Sequence, residues 1–307
     1  NQFAIIFGML VVYFVNYLIR INLPGSIEQA MMELGWRRMF LSEAFPAATF
    51  GLLLLFVPKT PRYLVMSGNE TKALNVLSRI NGVAPARKIL EEIKETVVEK
   101  REKLFSYGVT VVVIGILLSF FQQAVGINVV LYYAPRIFEN LGASGDVSMR
   151  QTVVMGVVNI IFTMVAILTV DKFGRKPLLI IGSFGMMIGM AALSVLSFMD
   201  VIGVAALVFI IIYTASFMMS WGPITWVLIS EIFPNTIRGQ AVAIAVAAQW
   251  ISNFIVSSTF PSLSEWSTGG AYLIYAVFSL LSAVFVFKMV PETKGKTLED
   301  MTRLWRK

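Results

Sequence analysis

The stretch SFFQQAVGINVVLYYAP, residues 119–135, decides how this 307-residue chain is read. It belongs to an apolar run over 105–133, longer than the ~20 helical residues that cross a bilayer. Inside that run sit Gln122, Gln123, Asn128, Tyr132 and Tyr133. An amide left unpaired in hydrocarbon costs on the order of 2–7 kcal/mol, so each must meet something polar. At about 100° per residue, Asn128 falls about 140° from Gln123 and about 120° from Gln122, so a continuous helix cannot point all three amides one way. Gly126 between them and Pro135 after them are residue types that let a membrane helix break where it lines a cavity. The spacing therefore predicts an interruption near Gly126, with Tyr132 one turn beyond Asn128 on the same face. A lone membrane amide usually bonds a neighbouring helix; three beside a break point to a ligand.

Working outward, further apolar runs occur at about 3–19, 39–57, 151–170, 177–198, 203–230, 240–260 and 271–290, which makes eight expected spans. The chain is 57% hydrophobic and only 14% charged, far from the roughly 25% charged residues of a soluble domain. No segment alternates in the manner of a barrel strand, so the expected fold class is an all-α membrane protein in contact with a lipid bilayer. There is no cysteine and no histidine. That excludes disulfides and thiolate metal sites, and removes the side chain that ordinarily titrates near neutral pH.

A net charge of +7 raises the question of nucleic acid, and the placement of the charges answers it. Of twenty-five Lys and Arg, ten lie between Lys59 and Lys103, three in the Lys172 to Lys176 turn, one at Arg238 and six after Val286. The other five, Arg20, Arg37, Arg38, Arg136 and Arg150, fall in alternate loops. Such asymmetry is the positive-inside pattern. It places 58–104, the turns at 171–176 and 231–239, and the C-terminus on the cytoplasmic side, and no nucleic-acid partner is expected.

Residues 58–104 form the one long polar segment. Leu74, Leu77 and Ile80, then Ile89, Ile93 and Val97, recur at three- and four-residue spacing between Gly68, Gly82 and Pro85. That pattern predicts short amphipathic helices packed as a layer. The segment leaves two spans before it and six after it, the pattern of one complete transporter half joined to part of another. The expected domains are 1–57, a remnant of an N-terminal bundle; 58–104, a helical linker; 105–290, a six-helix bundle; and 291–307, a cytoplasmic tail. Because residue 3 already lies in an apolar run, the chain is expected to begin mid-architecture.

Polar groups recur at matching depth in other spans. Asn159 has Gly156 and Thr163 a turn to either side; Trp226 has Gly222 one turn earlier; Gln249, Trp250 and Asn253 lie together. Amides both donate to and accept from hydroxyls, and an indole face stacks on the C–H side of a sugar ring. Uncharged amides and indoles thus describe a site for an uncharged polyhydroxylated ligand. Trp36, Trp266 and Trp305, at span ends, fit interfacial anchors instead. No HExxH, no paired aspartates within a span and no GxxxxGK[ST] loop occur, so neither an intramembrane enzyme nor a nucleotide-driven pump is expected, and no cofactor.

Four stretches, FFQQAVGINVVLYYAP, VDKFGRKP, SWGPITWVLISEIFPNTIRG and VPETKGKTLE, resemble the sugar porter family of the major facilitator superfamily, along the whole chain. The resemblance implies that the spans correspond to transmembrane helices five to twelve of that fold, in a bacterial inner membrane. It implies alternating-access transport of a monosaccharide, D-xylose or a hexose, with a proton as coupling ion. Sugar contacts implied by it are Gln2, Gln122, Gln123, Asn128, Tyr132, Asn159, Gly222, Trp226, Gln249 and Trp250. A cytoplasmic charge network that latches the outward-facing state maps onto Asp171, Arg175, Glu231, Arg238 and Glu292. The chain departs from the pattern twice: PKTPR puts Lys59 where the family usually has an acid, and Met9 stands where the sequence it resembles has a glutamine. The carboxylate nearest a span interior is Glu43, so the resemblance leaves the proton-carrying group unassigned. A sugar-binding or sensing protein that does not translocate, or an inactive fragment, remains the alternative.

Overall fold

A computed structural model describes residues 2–23, 31–98, 102–140, 145–200, 204–296 and 298–306. All described regular structure is helical. The chain divides into two units, one of Asn1–Leu18 with Lys103–Lys307 and one of Ile19–Glu102. Helix α1, Gln2–Ile21, supplies its first turns to the larger unit.

The smaller unit holds α2, Trp36–Leu54, and three short helices, α3 Pro61–Met66, α4 Glu70–Asn81 and α5 Val83–Val98. The expected stripes do pack: Leu64, Ala73, Leu77, Ala86 and Leu90 form a small core with Leu74, Ile89 and Ile93 against it. Ile80, by contrast, is exposed, and the side chain of Val97 lies outside the described residues.

The larger unit contains α6 Val109–Ala124, α7 Ile127–Tyr132, α8 Ala134–Asn140, α9 Gly145–Phe173, α10 Arg175–Phe198, α11 Val204–Met218, α12 Trp221–Glu231, α13 Asn235–Trp266, α14 Thr268–Met289 and α15 Leu298–Trp305. Among the described residues, seven helices are long and apolar enough to span a membrane, α6 and α7 counting as one and α11 and α12 as another. The eighth expected span, 39–57, is the exception. It is helical as α2, with Arg37 and Arg38 just ahead of the expected span and Glu43 within it, and α2 is not among the seven by length and composition.

Small residues set how closely these helices approach. A Cβ added to Gly182 would meet Ser220 Oγ at 1.8 Å, one at Gly185 would meet Ser216 Oγ at 2.2 Å, and one at Gly189 would meet Tyr213 Cβ at 2.8 Å. A glycine edge on α10 thus admits α11, the usual device where lipid supplies no hydrophobic drive for helix association. Likewise Gly156 on α9 receives Leu10 and Tyr13 of α1. The Tyr13 hydroxyl donates to the Leu131 carbonyl at 2.7 Å, which ties α1 to the segment just after the predicted break.

Candidate functional site

The break falls at Gly126, which sits at φ 89° as the N-cap of α7. Only glycine adopts that conformation without strain. A Cβ there would also lie 2.8 Å from the Tyr275 ring. The break turns Asn128 back toward the two glutamines: its Nδ2 donates to Gln123 Oε1 at 2.7 Å and to Asn253 Oδ1 at 3.0 Å. Gln123 Nε2 donates to Gln122 Oε1 at 3.1 Å, and that oxygen also accepts from Gln249 Nε2. Ser257 Oγ extends the chain by donating to Asn253 Oδ1 at 3.0 Å. Three amides that no single helix could align are thereby joined to two more, Gln249 and Asn253, in one network, each fixing its neighbour's orientation.

A second break, between Met218 and Trp221, places the indole side of the site. Ser220 there has φ −134° and ψ −90°, outside the helical region. Trp221 is fully buried and donates from Nε1 to Ser183 Oγ at 2.8 Å, while its carbonyl accepts from Gln122 Nε2 at 3.4 Å. It anchors the start of α12, from which Trp226 reaches the cavity. This interruption of the expected 203–230 span was not foreseen; the Gly222–Pro223 pair is its signal in the sequence.

One cavity is lined by Gln2, Gln122, Gln123, Asn128, Tyr132, Trp226, Gln249 and Trp250. Eight of the ten expected contacts therefore converge. Gly222 stands just behind, where a Cβ would approach Gln2 Nε2 to 3.2 Å. Asn159 is buried but is not part of the lining, and its Oδ1 has no protein partner. Met9, Phe217 and Met218 complete an apolar side that the sequence reading did not assign. Gln249 lines the cavity, and its Oε1 is buried with no hydrogen-bond partner in the protein. A buried acceptor of this kind is costly unless something donates to it.

The expected charge network gathers at the start of α10. Arg175 Nη2 meets Glu231 Oε1 at 3.0 Å and Nη1 meets Asp171 Oδ1 at 3.0 Å. The Asp171 side chain is 80% exposed and that of Glu231 30%, so the Glu231 pair carries more of the interaction. Thr293 Oγ1 donates to Glu231 Oε2 at 2.6 Å. Arg238 Nε and Nη2 donate to the Phe233 carbonyl at 3.4 Å.

Glu292 caps α10 from far along the chain. Its carboxylate accepts from the backbone N–H groups of Arg175 at 3.1 Å and Lys176 at 2.9 Å, donors that a helix N-terminus otherwise leaves free. Partial burial opposes its ionisation, but backbone N–H donors from Lys294, Lys176, Arg175 and Thr293 outweigh that and hold its pKa below the usual carboxylate value. A depressed folded-state pKa means that this stabilisation is complete above the ordinary carboxylate pKa and is lost as pH falls through the lowered one. Glu292→Ala is therefore expected to cost on the order of 1 kcal/mol at neutral pH, as loss of a helix N-cap does. Thermal unfolding of the two forms in detergent checks this: the gap between them closes on acidification, and a gap that widens in acid contradicts the assignment.

Trp305, read as an interfacial anchor, behaves differently. Its Nε1 donates to the Ile232 carbonyl at 3.0 Å, so α15 docks on the end of α12.

A multi-pass helical membrane protein with an amide and indole cavity between broken helices is the architecture of a solute transporter. The family profile described as sugar (and other) transporter matches residues 1–305, and the chain belongs to that family, the sugar porters of the major facilitator superfamily. It is 50% identical over 315 residues to the D-xylose-proton symporter of Escherichia coli strain K12, covering 99% of this chain and 64% of that protein. The glucose facilitated diffusion protein of Zymomonas mobilis is 42% identical, with 100% and 66% covered. A solved structure of the proton:xylose symporter XylE bound to 6-bromo-6-deoxy-D-glucose superposes with a TM-score of 0.84 at 50% identity, covering 99% of this chain and 66% of that one. The chain thus spans just under two thirds of the length of the E. coli symporter.

Proposed function

We propose that the gene's product carries a monosaccharide, D-xylose or a close relative, across a bacterial inner membrane by alternating access, with a proton as coupling ion and no chemical transformation of the sugar. The observation that carries this reading is the Gln122, Gln123, Asn128, Gln249 and Asn253 network, four of whose amides line one cavity together with Trp226 and Trp250. Hydroxyls on a pyranose match the amides, and its C–H face matches an indole. Half-identity to a D-xylose-proton symporter supports the substrate and the coupling ion. The distribution of Lys and Arg supports a cytoplasmic 58–104 segment and C-terminus.

In the same reading, the charges around Arg175 form a latch that closes one side of the bundle while the sugar is exposed to the other. Breaking a partly solvated pair alters the balance between the two states without touching the sugar contacts. Proteoliposomes holding the gene's full product are expected to accumulate labelled D-xylose when an inward proton gradient is imposed. Glu231→Ala slows that uptake while leaving equilibrium sugar affinity within about twofold, since the residue is not among those lining the cavity. Equal uptake with and without the gradient contradicts coupling. Loss of affinity in Glu231→Ala contradicts the separation of latch from site.

A further inference from the structure

The smaller unit contains a hollow of its own, and its lining is basic. Lys59, Lys72 and Arg79 border it, no carboxylate does, and Ser67, Asn69 and Asn75 add neutral hydrogen-bonding groups. Lys72 and Arg79 are seven residues apart on α4, two turns and about 10 Å along one helix face. Lys59 comes from the turn before α3, where its ammonium sits 5.2 Å from the centre of the Tyr63 ring.

Three features make this more than a run of solvated lysines. The first is that the nearest acid on α4 is withdrawn: Glu70 pairs with Lys94 at 2.7 Å. Among the described residues, Lys72 and Arg79 have no ion pair. The second is rigidity, because the Leu64, Ala73, Leu77, Ala86 and Leu90 core fixes α3, α4 and α5 against one another. The third is concavity. Cations of one sign around a recess bounded by protein focus their field on what enters it.

We propose that this hollow binds a phosphate-bearing anion, through Lys59, Lys72 and Arg79 acting together. Arg79 offers the planar fork that suits two phosphate oxygens, and the lysines add point charges. The Asn75 amide N–H groups complete the hydrogen bonding to oxygens that the cations leave free. A glycerophosphate group meets these requirements whether it is the headgroup of an anionic lipid or a free phosphomonoester. The Lys59 position, where an acid would repel such a ligand, belongs to the site.

The experiment follows the lysines directly in the full chain. Amine-reactive labelling of Lys59 and Lys72, located by mass spectrometry, is compared in nanodiscs of phosphatidylcholine alone, the same with added glycerol 3-phosphate, and with phosphatidylglycerol in the bilayer, at matched ionic strength. Protection of both lysines by glycerol 3-phosphate supports a soluble ligand; protection only by phosphatidylglycerol supports a lipid headgroup. Arg79→Gln leaves both lysines in place and is expected to raise the half-protecting concentration at least about tenfold. All three side chains are exposed, so the variant folds as the parent does, which its melting temperature checks. No protection in either arm overturns the proposal, as does protection unchanged in Arg79→Gln or equalled by chloride.

Discussion

Replacing Gly126 with alanine is expected to destabilise the larger unit by roughly 2–6 kcal/mol, combining about 1–3 for a side chain held at positive φ with about 1–3 for overpacking. The backbone there is at φ 89°, and the added methyl would stand 2.8 Å from the Tyr275 ring. Both terms act at the point where α6 gives way to α7, so the change also disturbs the Asn128 to Gln123 contact that closes the amide network. Thermal unfolding in detergent measures the loss. A double-mutant cycle separates the terms: in the Tyr275→Ala background the clash is gone and the backbone strain remains, so Gly126→Ala lowers the melting temperature by less there than it does in the parent. An unchanged melting temperature in Gly126→Ala shows that the chain does not break here.

Truncating Gln122 acts on binding as well as on folding. Its Oε1 accepts from Gln123 and Gln249 and its Nε2 donates to the Trp221 carbonyl. With the side chain gone, three buried groups lose a partner and the sugar loses its amide wall. Gln122→Ala is expected to weaken D-xylose binding by about 1–3 kcal/mol, roughly 5- to 150-fold in Kd, measured by calorimetry. Trp226→Ala is a useful comparison, since it removes a ring surface while leaving the amides. An unaltered Kd in Gln122→Ala places the sugar elsewhere.

How much of this could be read from the amino acids depends on the residue. The break at Gly126 was legible because an angular argument forbids one helix from aligning Gln122, Gln123 and Asn128, and a glycine stands between them. The α11 to α12 interruption is harder to read, because the hydropathy pattern runs through Ser220 unbroken and the Gly222–Pro223 pair is its local mark. Trp221 escaped notice for the same reason: its role lies in bonds to Ser183 and Gln122, long-range partners that local spacing does not reveal. The 39–57 run reads as a span on its apolar content, and α2, which covers most of it, places Arg37 and Arg38 just ahead of that run and Glu43 within it. The tail helix is similar. Trp305 lies in α15, beyond the last span, and its hydrogen bond to the Ile232 carbonyl is a tertiary contact that local spacing does not reveal. Charge positions fared better: the Asp171, Arg175, Glu231 and Glu292 cluster comes together where helix ends had been expected.

The central claim is that the cavity between the broken helices is a monosaccharide site, and a structure determined with bound D-xylose tests it most directly. The account predicts sugar density between the Gln122, Gln123 and Gln249 amides and the Trp226 ring, with sugar hydroxyls within hydrogen-bonding distance of those amides. Density for the sugar at another place in the bundle, with this cavity empty, contradicts it.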